Sequence, residues 1–491
     1  MKKRAVIIGS GIAGIGAAIR IANLGFEVEV FEKNAYLGGK LSEFVLNGYR
    51  FDAGPSLFTL PEQVEELFLL SGKKIEDYFS YIKLSKITNY FFENGKTLKA
   101  YSNPEKFAQE AENQLKEPKE NTLKYLQKSK LVYEMTENVF LKKSLHQLST
   151  YLSFDTLKAI LKIHHLDNFR SLHQANQKSF RTSEMRQLFD RYATYNGSNP
   201  YLAPATLKVI PHLEFGLGAY FPKKGMFDIT QSLVNLAKDL GVKFHLEADV
   251  QKILLKDKKV VGIRVGEKDI EADVVVSNMD IVGTYRKLLP SMNPAERILR
   301  QTKSSSAIIF YWGIKHSFPE LDLHNVFFSK DYKEEFSALF DKNTLAEDLT
   351  VYVNISSKYL SSDAPKGCEN WFVMVNAPCN TGQDWDSLIA LARKKVITKL
   401  SRMLKINIEP LIEVESILEP RLIEAKTSSF QGALYGNSSN NPYAAFLRHP
   451  NFSAKIKNLY FCGGSVHPGG GIPLSLLSAK IVGDLVRNKT L

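Results

Sequence analysis

Cysteine is scarce. Cys368, Cys379 and Cys462 are the three in 491 residues, and none forms a CxxC pair. That argues against a disulfide framework and a structural zinc site, and it fits a reducing compartment. Acidic residues are in deficit, 52 against 64 basic ones. The net charge of +12 admits nucleic acid, an anionic membrane or plain solubility as its meaning. Glycine (30) and proline (19) are too few for a fibrous or low-complexity chain. There is no HExxH motif and no internal repeat. A charged fraction of 24% with 44% hydrophobic residues excludes general disorder and a polytopic membrane protein. At ~150 residues per domain, the length predicts two or three domains.

Long uninterrupted apolar runs are lacking as well, although two segments imitate them. Lys2-Lys3-Arg4 followed by Ala5 to Ile19 has the form of a signal peptide, but regularly spaced glycines interrupt the run. Residues 458–479 are uncharged, yet Gly463, Gly464, Pro468, Gly469, Gly470, Gly471 and Pro473 would leave backbone unsatisfied in lipid. This stretch reads as a strand, a glycine-rich loop and a helix start.

What is present begins at the amino terminus. Arg4 to Ile8 is a continuously apolar strand pattern, followed by Gly9-Ser10-Gly11-Ile12-Ala13-Gly14. Ile12, Ile15, Ile19 and Ala22 then recur at helical spacing, and Gly25 ends the helix. Glu27 to Phe31 alternates as a second strand with Glu32 at its end, 18 residues beyond Gly14. This is a complete βαβ fingerprint for a dinucleotide. Gly9 permits the tight turn, Gly11 lets backbone N–H groups approach a pyrophosphate, Gly14 allows close packing, and Glu32 is placed for ribose hydroxyls. The fingerprint alone does not separate NAD from FAD. Gly38-Gly39-Lys40 adds an anion nest and a positive charge, and Phe51-Asp52-Ala53-Gly54-Pro55-Ser56 follows. Near the other end, Leu459 to Cys462 reads as a strand entering Gly463-Gly464. Gly469-Gly470-Gly471-Ile472-Pro473 starts a helix whose positive end suits a reduced flavin.

GSGIAG, Glu32, GGK, FDAGPS and GGSVHPGGGIPLSLLSA together resemble the carotenoid (phytoene) desaturases, within the flavin amine oxidase-like superfamily. RYATYNGSNPY at 191–201, FPKKGM at 221–226 and ADVVVSNMD at 272–280 extend the resemblance over nearly the whole chain. It implies an α/β fold. A discontinuous Rossmann-type FAD-binding domain, residues 1–65, 220–285 and 450–491, would stand beside a mixed α+β substrate domain, residues 66–219 and 286–449. The first substrate stretch is mostly helical by pattern. The second mixes strands such as Ala307 to Ile314 and Trp371 to Ala377 with helices such as Ser387 to Leu404.

The resemblance implies one noncovalent FAD. Gly9, Ser10, Gly11, Ile12, Ala13, Gly14, Glu32 and Lys33 would hold its dinucleotide part. Val250, in a strand from Phe244 to Ile253, would hold the adenine through its backbone. Gly39, Lys40, Gly54, Pro55 and Ser56 would approach the phosphates or flavin, and Gly464, Ile472, Pro473 and Leu474 would line the isoalloxazine. Lys40 stands where arginine is common and keeps the charge without a planar fork. Gly464-Ser465 stands where many flavoproteins carry a glycine–acid pair.

The family further implies desaturation of a long acyclic carotenoid, most like the 3,4-desaturation of a 1-hydroxycarotenoid. Phytoene desaturation is the alternative. A carotenoid isomerase, a polyene saturase working on reduced flavin and a non-enzymatic prenyl-lipid carrier are the others. No catalytic base is assigned, although Glu214 and Arg191 are the candidates for proton handling. Asn196, His324 and Asn325 are the candidates for a substrate hydroxyl. Oxygen or a quinone would accept the electrons. Residues 141–180 hold six basic and two acidic residues and four of the ten histidines among bulky aliphatics. From the residues, this is an interfacial membrane helix or a core helix with solvated lysines. A lipid-stored substrate favours the first and implies a cytoplasmic protein peripheral to a membrane. Adjacent His164-His165 share no helix face, so no metal is expected. Nor is nucleic acid, since the basic residues lie among aliphatics.

Overall fold

The computed structural model describes residues 2–137, 146, 167, 170–292, 299–441 and 448–490. The apolar run Arg4–Ile8 is the middle strand of a five-stranded sheet. Val274–Ser277 and then Leu459–Phe461 lie on one side of it, and Glu27–Phe31 and then Lys243–His245 on the other. All four pairings are parallel. Ile8 pairs with Phe31 and Ser277, Ser277 with Phe461, and Phe31 with His245, so every strand ends at one edge. Ligands of open parallel sheets bind outside that carboxyl edge.

Helix Ile12–Ala22 crosses from the first strand to the second and packs against the final helix, Ile472–Thr490. Gly16 makes the close approach possible: a Cβ there would lie 3.1 Å from Leu476 and 3.3 Å from Ala479. Residues 458–479 form the expected strand, loop and helix start, and no helix among the described residues is long and apolar enough to cross a membrane.

A second, seven-stranded sheet runs Ile412–Leu418, Ser306–Ile314, Glu369–Ala377, Val351–Asn354, His324–Phe327, Lys86–Phe91, Thr97–Tyr101. Its pairings are antiparallel except that of His324–Phe327 with Lys86–Phe91. Ser306–Ile314 is buried at all nine positions, as a central strand should be. Side chains alternate across it. Ile308, Phe310, Trp312 and Ile314 join Trp371, Val373 and Val375 in a core shared with helix Trp385–Leu404. Ala307, Ile309 and Tyr311 point to the opposite face, with Phe51 and Phe372.

The described part of residues 66–219 is mostly helical, with Pro104–Leu115 and Lys119–Thr136 among its helices, after the three strands Tyr81–Lys83, Lys86–Phe91 and Thr97–Tyr101. One expectation is corrected here. The strand from Phe244 to Ile253 is two strands, since Glu247 takes a positive φ of 52° and turns the chain. Lys243–His245 ends the parallel sheet, and Val250–Lys256 begins a separate three-stranded antiparallel sheet. Most of residues 141–180, including His164 and His165, lies outside the described residues, and so does the choice between interfacial and core helix.

Candidate active site

The carboxyl edge of the parallel sheet opens into a cavity of about 750 Å³. At its start Gly9 has φ 90°, and its N–H donates to Phe31 O (2.8 Å). Gly11 caps helix Ile12–Ala22 with no side-chain hydrogen bond, so the first helical N–H groups have no side-chain cap. A Cβ at Gly11 would lie 2.6 Å from Asn278 Nδ2, and one at Gly14 would lie 2.2 Å from Gly9 O. Only hydrogen fits at Gly14, while a side chain at Gly11 would displace the Asn278 amide.

Glu32 is buried at the end of the second strand. One oxygen accepts from Ser10 N (2.9 Å) and Ser10 Oγ (2.8 Å). The other accepts from Asn34 N (2.9 Å) and Asn34 Nδ2 (2.7 Å). The carboxylate is thereby held at the cavity wall. Lys33 reaches across to the helix Pro420–Thr427, where Nζ donates to Ala425 O and to Ser428 Oγ (2.9 Å) just past its end. Burial lowers the Lys33 pKa.

Gly38 (φ 97°) and Gly39 (φ 58°) fold the nest against Gly11. Gly54 packs so tightly that a Cβ would lie 1.8 Å from Lys40 O. Lys40 Nζ donates to Leu434 O (2.7 Å) and more weakly to Ala433 O (3.4 Å). Burial pulls its pKa down to about 8, with Asp280 opposing the shift. Asp280 is itself pushed up by burial, and it caps Val282 N (2.9 Å). In the late loop a Cβ at Gly464 would lie 3.2 Å from Gly470 Cα, and Ser465 Oγ accepts from Ile281 N (2.9 Å).

One cavity gathers Gly9, Gly11, Ile12, Ala13, Glu32, Lys33, Gly39, Lys40, Gly54, Pro55, Ser56, Val250, Gly464, Ile472 and Pro473. Three expected residues do not line it. Ser10 is fully buried and spends its hydroxyl on Glu32, Gly14 packs on Gly9, and Leu474 lies half-buried in the first turn of the last helix. Asn278 was missed. Its side chain sits against Gly9, Gly11, Gly14 and Gly463, and its place directly after the strand Val274–Ser277 was the available signal.

The far half of the cavity is walled by the inner face of the seven-stranded sheet: Thr88, Ile309, Tyr311, His324, Val326, Tyr352, Phe372 and Met374. Arg191, Tyr195 and Glu214 close it. Glu214 is buried and accepts from Tyr192 OH (2.7 Å) and Tyr195 OH. The Arg191 guanidinium lies over the rings of Tyr90, Tyr192 and Tyr195 at 5.4, 5.2 and 5.2 Å. Its Nη2 donates to Tyr90 OH (2.9 Å) and Tyr195 OH (3.3 Å). Burial pulls the Arg191 pKa down, but Tyr195, Tyr90 and Glu214 outweigh it and hold the guanidinium charged.

Of the hydroxyl candidates only His324 lines the cavity. Asn325 points to the other face of its strand, where Nδ2 donates to Asp322 O (2.6 Å) and Val353 O (3.2 Å). Asn196 Nδ2 donates to Ser439 Oγ (3.1 Å), also away from the cavity.

A glycine-lined helix terminus on a parallel sheet, a carboxylate after the second strand and a glycine-rich loop before the last helix define a flavin-binding oxidoreductase. The model of the flavin containing amine oxidoreductases matches residues 12–486. The cyclohexylamine oxidase of Brevibacterium oxydans has the same fold, with a TM-score of 0.63 at 13% identity over 100% of both chains. The 1-hydroxycarotenoid 3,4-desaturase of a Flavobacterium species is 54% identical over 99% of each chain. The phytoene desaturase of Phycomyces blakesleeanus is 32% identical over 99% of this chain and 85% of its own. The chain belongs to the carotenoid desaturase family of FAD-dependent oxidoreductases.

Proposed function

We propose that this enzyme desaturates the 3,4 bond of an acyclic 1-hydroxycarotenoid. The observation that carries the reading is the continuity of the cavity. The glycine cradle at the sheet edge and a compartment walled by Ile309, Val326, Phe372 and Met374 form one space. The 54% identity to a relative named for that reaction supports the substrate class.

Bound FAD would supply the two-electron acceptor for the hydride lost when a C–C single bond becomes double, and the proton from the neighbouring carbon would pass to a base or solvent. The cradle fits it, because Gly9, Gly11, Gly39, Gly54 and Gly464 line the cavity without side chains, next to Glu32 and Lys40. In this reading Gly9, Gly11, Ile12 and Ala13 meet the pyrophosphate, and Glu32 and Lys33 stand at the adenosine end with Val250. Gly39, Lys40, Gly54, Pro55 and Ser56 lie along the phosphates and flavin, with Gly464, Ile472 and Pro473 at the ring. The inner sheet face orients the polyene and keeps water out. Glu214 accepts from two tyrosine hydroxyls and Arg191 donates to two, which suits holding the wall better than moving a proton. Residues 1–65, 220–285 and 450–491 act as the cofactor domain, and the two intervening stretches as the substrate domain. Oxygen or a quinone takes the electrons, and the protein works peripherally on a cytoplasmic membrane surface.

Expression in cells making defined carotenoids, followed by chromatography, tests this. A new 3,4 double bond only in hydroxylated pigments is expected. Lycopene formed from phytoene, altered bond geometry without a new bond, or a colourless protein with no releasable FAD would each overturn it.

A further inference from the structure

Among the described residues, three polar atoms of the far compartment have no hydrogen-bond partner. Burial leaves His324 Nε2, Tyr332 OH and Arg191 Nε with no hydrogen bond, and all three residues line the cavity. Arg191, His324, Tyr332 and Tyr352 all line this one compartment.

The neighbours fix which His324 nitrogen carries the proton. Asn354 Nδ2 donates to Leu323 O (2.9 Å), which sets the amide's orientation, and the same nitrogen lies 3.2 Å from His324 Nδ1. Tyr352 OH lies 2.7 Å from Nδ1. Nδ1 is therefore the acceptor and Nε2 bears the hydrogen. Burial lowers the imidazole pKa to about 3, so the ring is neutral and keeps this tautomer. Tyr332 is clamped edge-on between Phe328 and Phe336, at 87° and 88° to their planes. Its hydroxyl and Arg191 Nε are donors too.

A hydrocarbon polyene offers these N–H and O–H groups nothing. Three buried donors facing hydrocarbon are costly, and an oxygen placed among them removes that cost. Position matters equally. In a 1-hydroxylated substrate one carbon separates the hydroxyl-bearing carbon from the bond that is desaturated. The hydroxyl site must therefore adjoin the flavin. Ser56, at the expected flavin end, lies 2.7 Å from Tyr352 OH, which lies 2.7 Å from His324.

We propose that His324, Tyr332 and Arg191 form the recognition site for the hydroxyl of the substrate, with His324 donating through Nε2. This rests on the desaturase reading above. The three residues set specificity. A substrate without the hydroxyl leaves the donors unsatisfied and is rejected.

The test uses FAD-loaded enzyme with a 1-hydroxylated acyclic carotenoid and the same carotenoid lacking the hydroxyl. In Tyr332→Phe and His324→Leu, the preference in kcat/KM for the hydroxylated substrate falls about 10–100-fold. His324→Gln, which keeps an N–H, retains part of it. An unchanged ratio in Tyr332→Phe at wild-type flavin content would overturn the proposal, whether or not His324→Leu folds. If wild-type enzyme turns over neither substrate, the desaturase reading fails on its own. Binding, read as a perturbation of flavin absorbance, then decides the hydroxyl site. Selective binding of the hydroxylated pigment, lost in Tyr332→Phe, supports the site, and equal binding of both pigments refutes it.

Discussion

His449 is buried beside the carboxyl-terminal loop, with its ring fully engaged. Nδ1 donates to Pro450 O (2.7 Å), and Nε2 accepts from Tyr285 OH (3.2 Å). Burial lowers its pKa from 6.5 to about 4. The unfolded chain therefore binds one more proton than the folded one between those values. Stability present above pH 6.5 is lost as pH falls toward 4, at a slope on the order of 1 kcal/mol per pH unit. His449→Gln keeps both polar groups without titrating, so urea unfolding should show a shallower acid limb by about one proton. An unchanged slope would refute this. The same scale explains what could be read in advance. Gly9, Gly11, Gly39 and Gly54 were legible because the need for a missing Cβ is written in the residue itself. Asn278 and Tyr332 were not, because their importance comes from neighbours distant in sequence.

Elements show why the inner and outer faces of the second sheet answer differently to substitution. Trp312 and Ile309 lie on one strand and are both buried, but Trp312 faces helix Trp385–Leu404 and Ile309 faces the cavity. Trp312→Ala should cost about 3–5 kcal/mol of stability. Ile309→Ala should cost less, yet change KM for the polyene several-fold. Thermal melting and steady-state kinetics on both variants check this, and equal effects on both readouts would refute it. The strands Ser306–Ile314 and Glu369–Ala377 were legible from their short apolar runs, Ala307 to Ile314 and Trp371 to Val375. Lys86–Phe91 was not. Ile87, Thr88, Asn89 and Tyr90 are all buried, so polar and apolar residues do not alternate, and its partner His324–Phe327 comes from far along the chain. Likewise, nothing local in 244–253 announces that Glu247 turns the strand.

In the whole molecule the cofactor sheet draws its strands from three separated stretches of chain, with Leu459–Phe461 at one edge and Lys243–His245 at the other. A chain ended at residue 455 lacks that edge strand, the glycine-rich loop and the final helix. It should purify with less than about a tenth of the flavin of the full chain, since the cavity wall from Gly463 to Ser475 is gone. Absorbance ratios measure this, and a yellow truncated protein would refute it. The same interleaving sets a timetable. At roughly 5–20 residues per second, the ribosome adds Leu459–Phe461 about 20–90 s after Glu27–Phe31. Through that interval the nascent sheet has an open edge, and Gly16 has no final helix to pack against. The glycine-lined cavity is therefore complete only once residues 463–473 have been made.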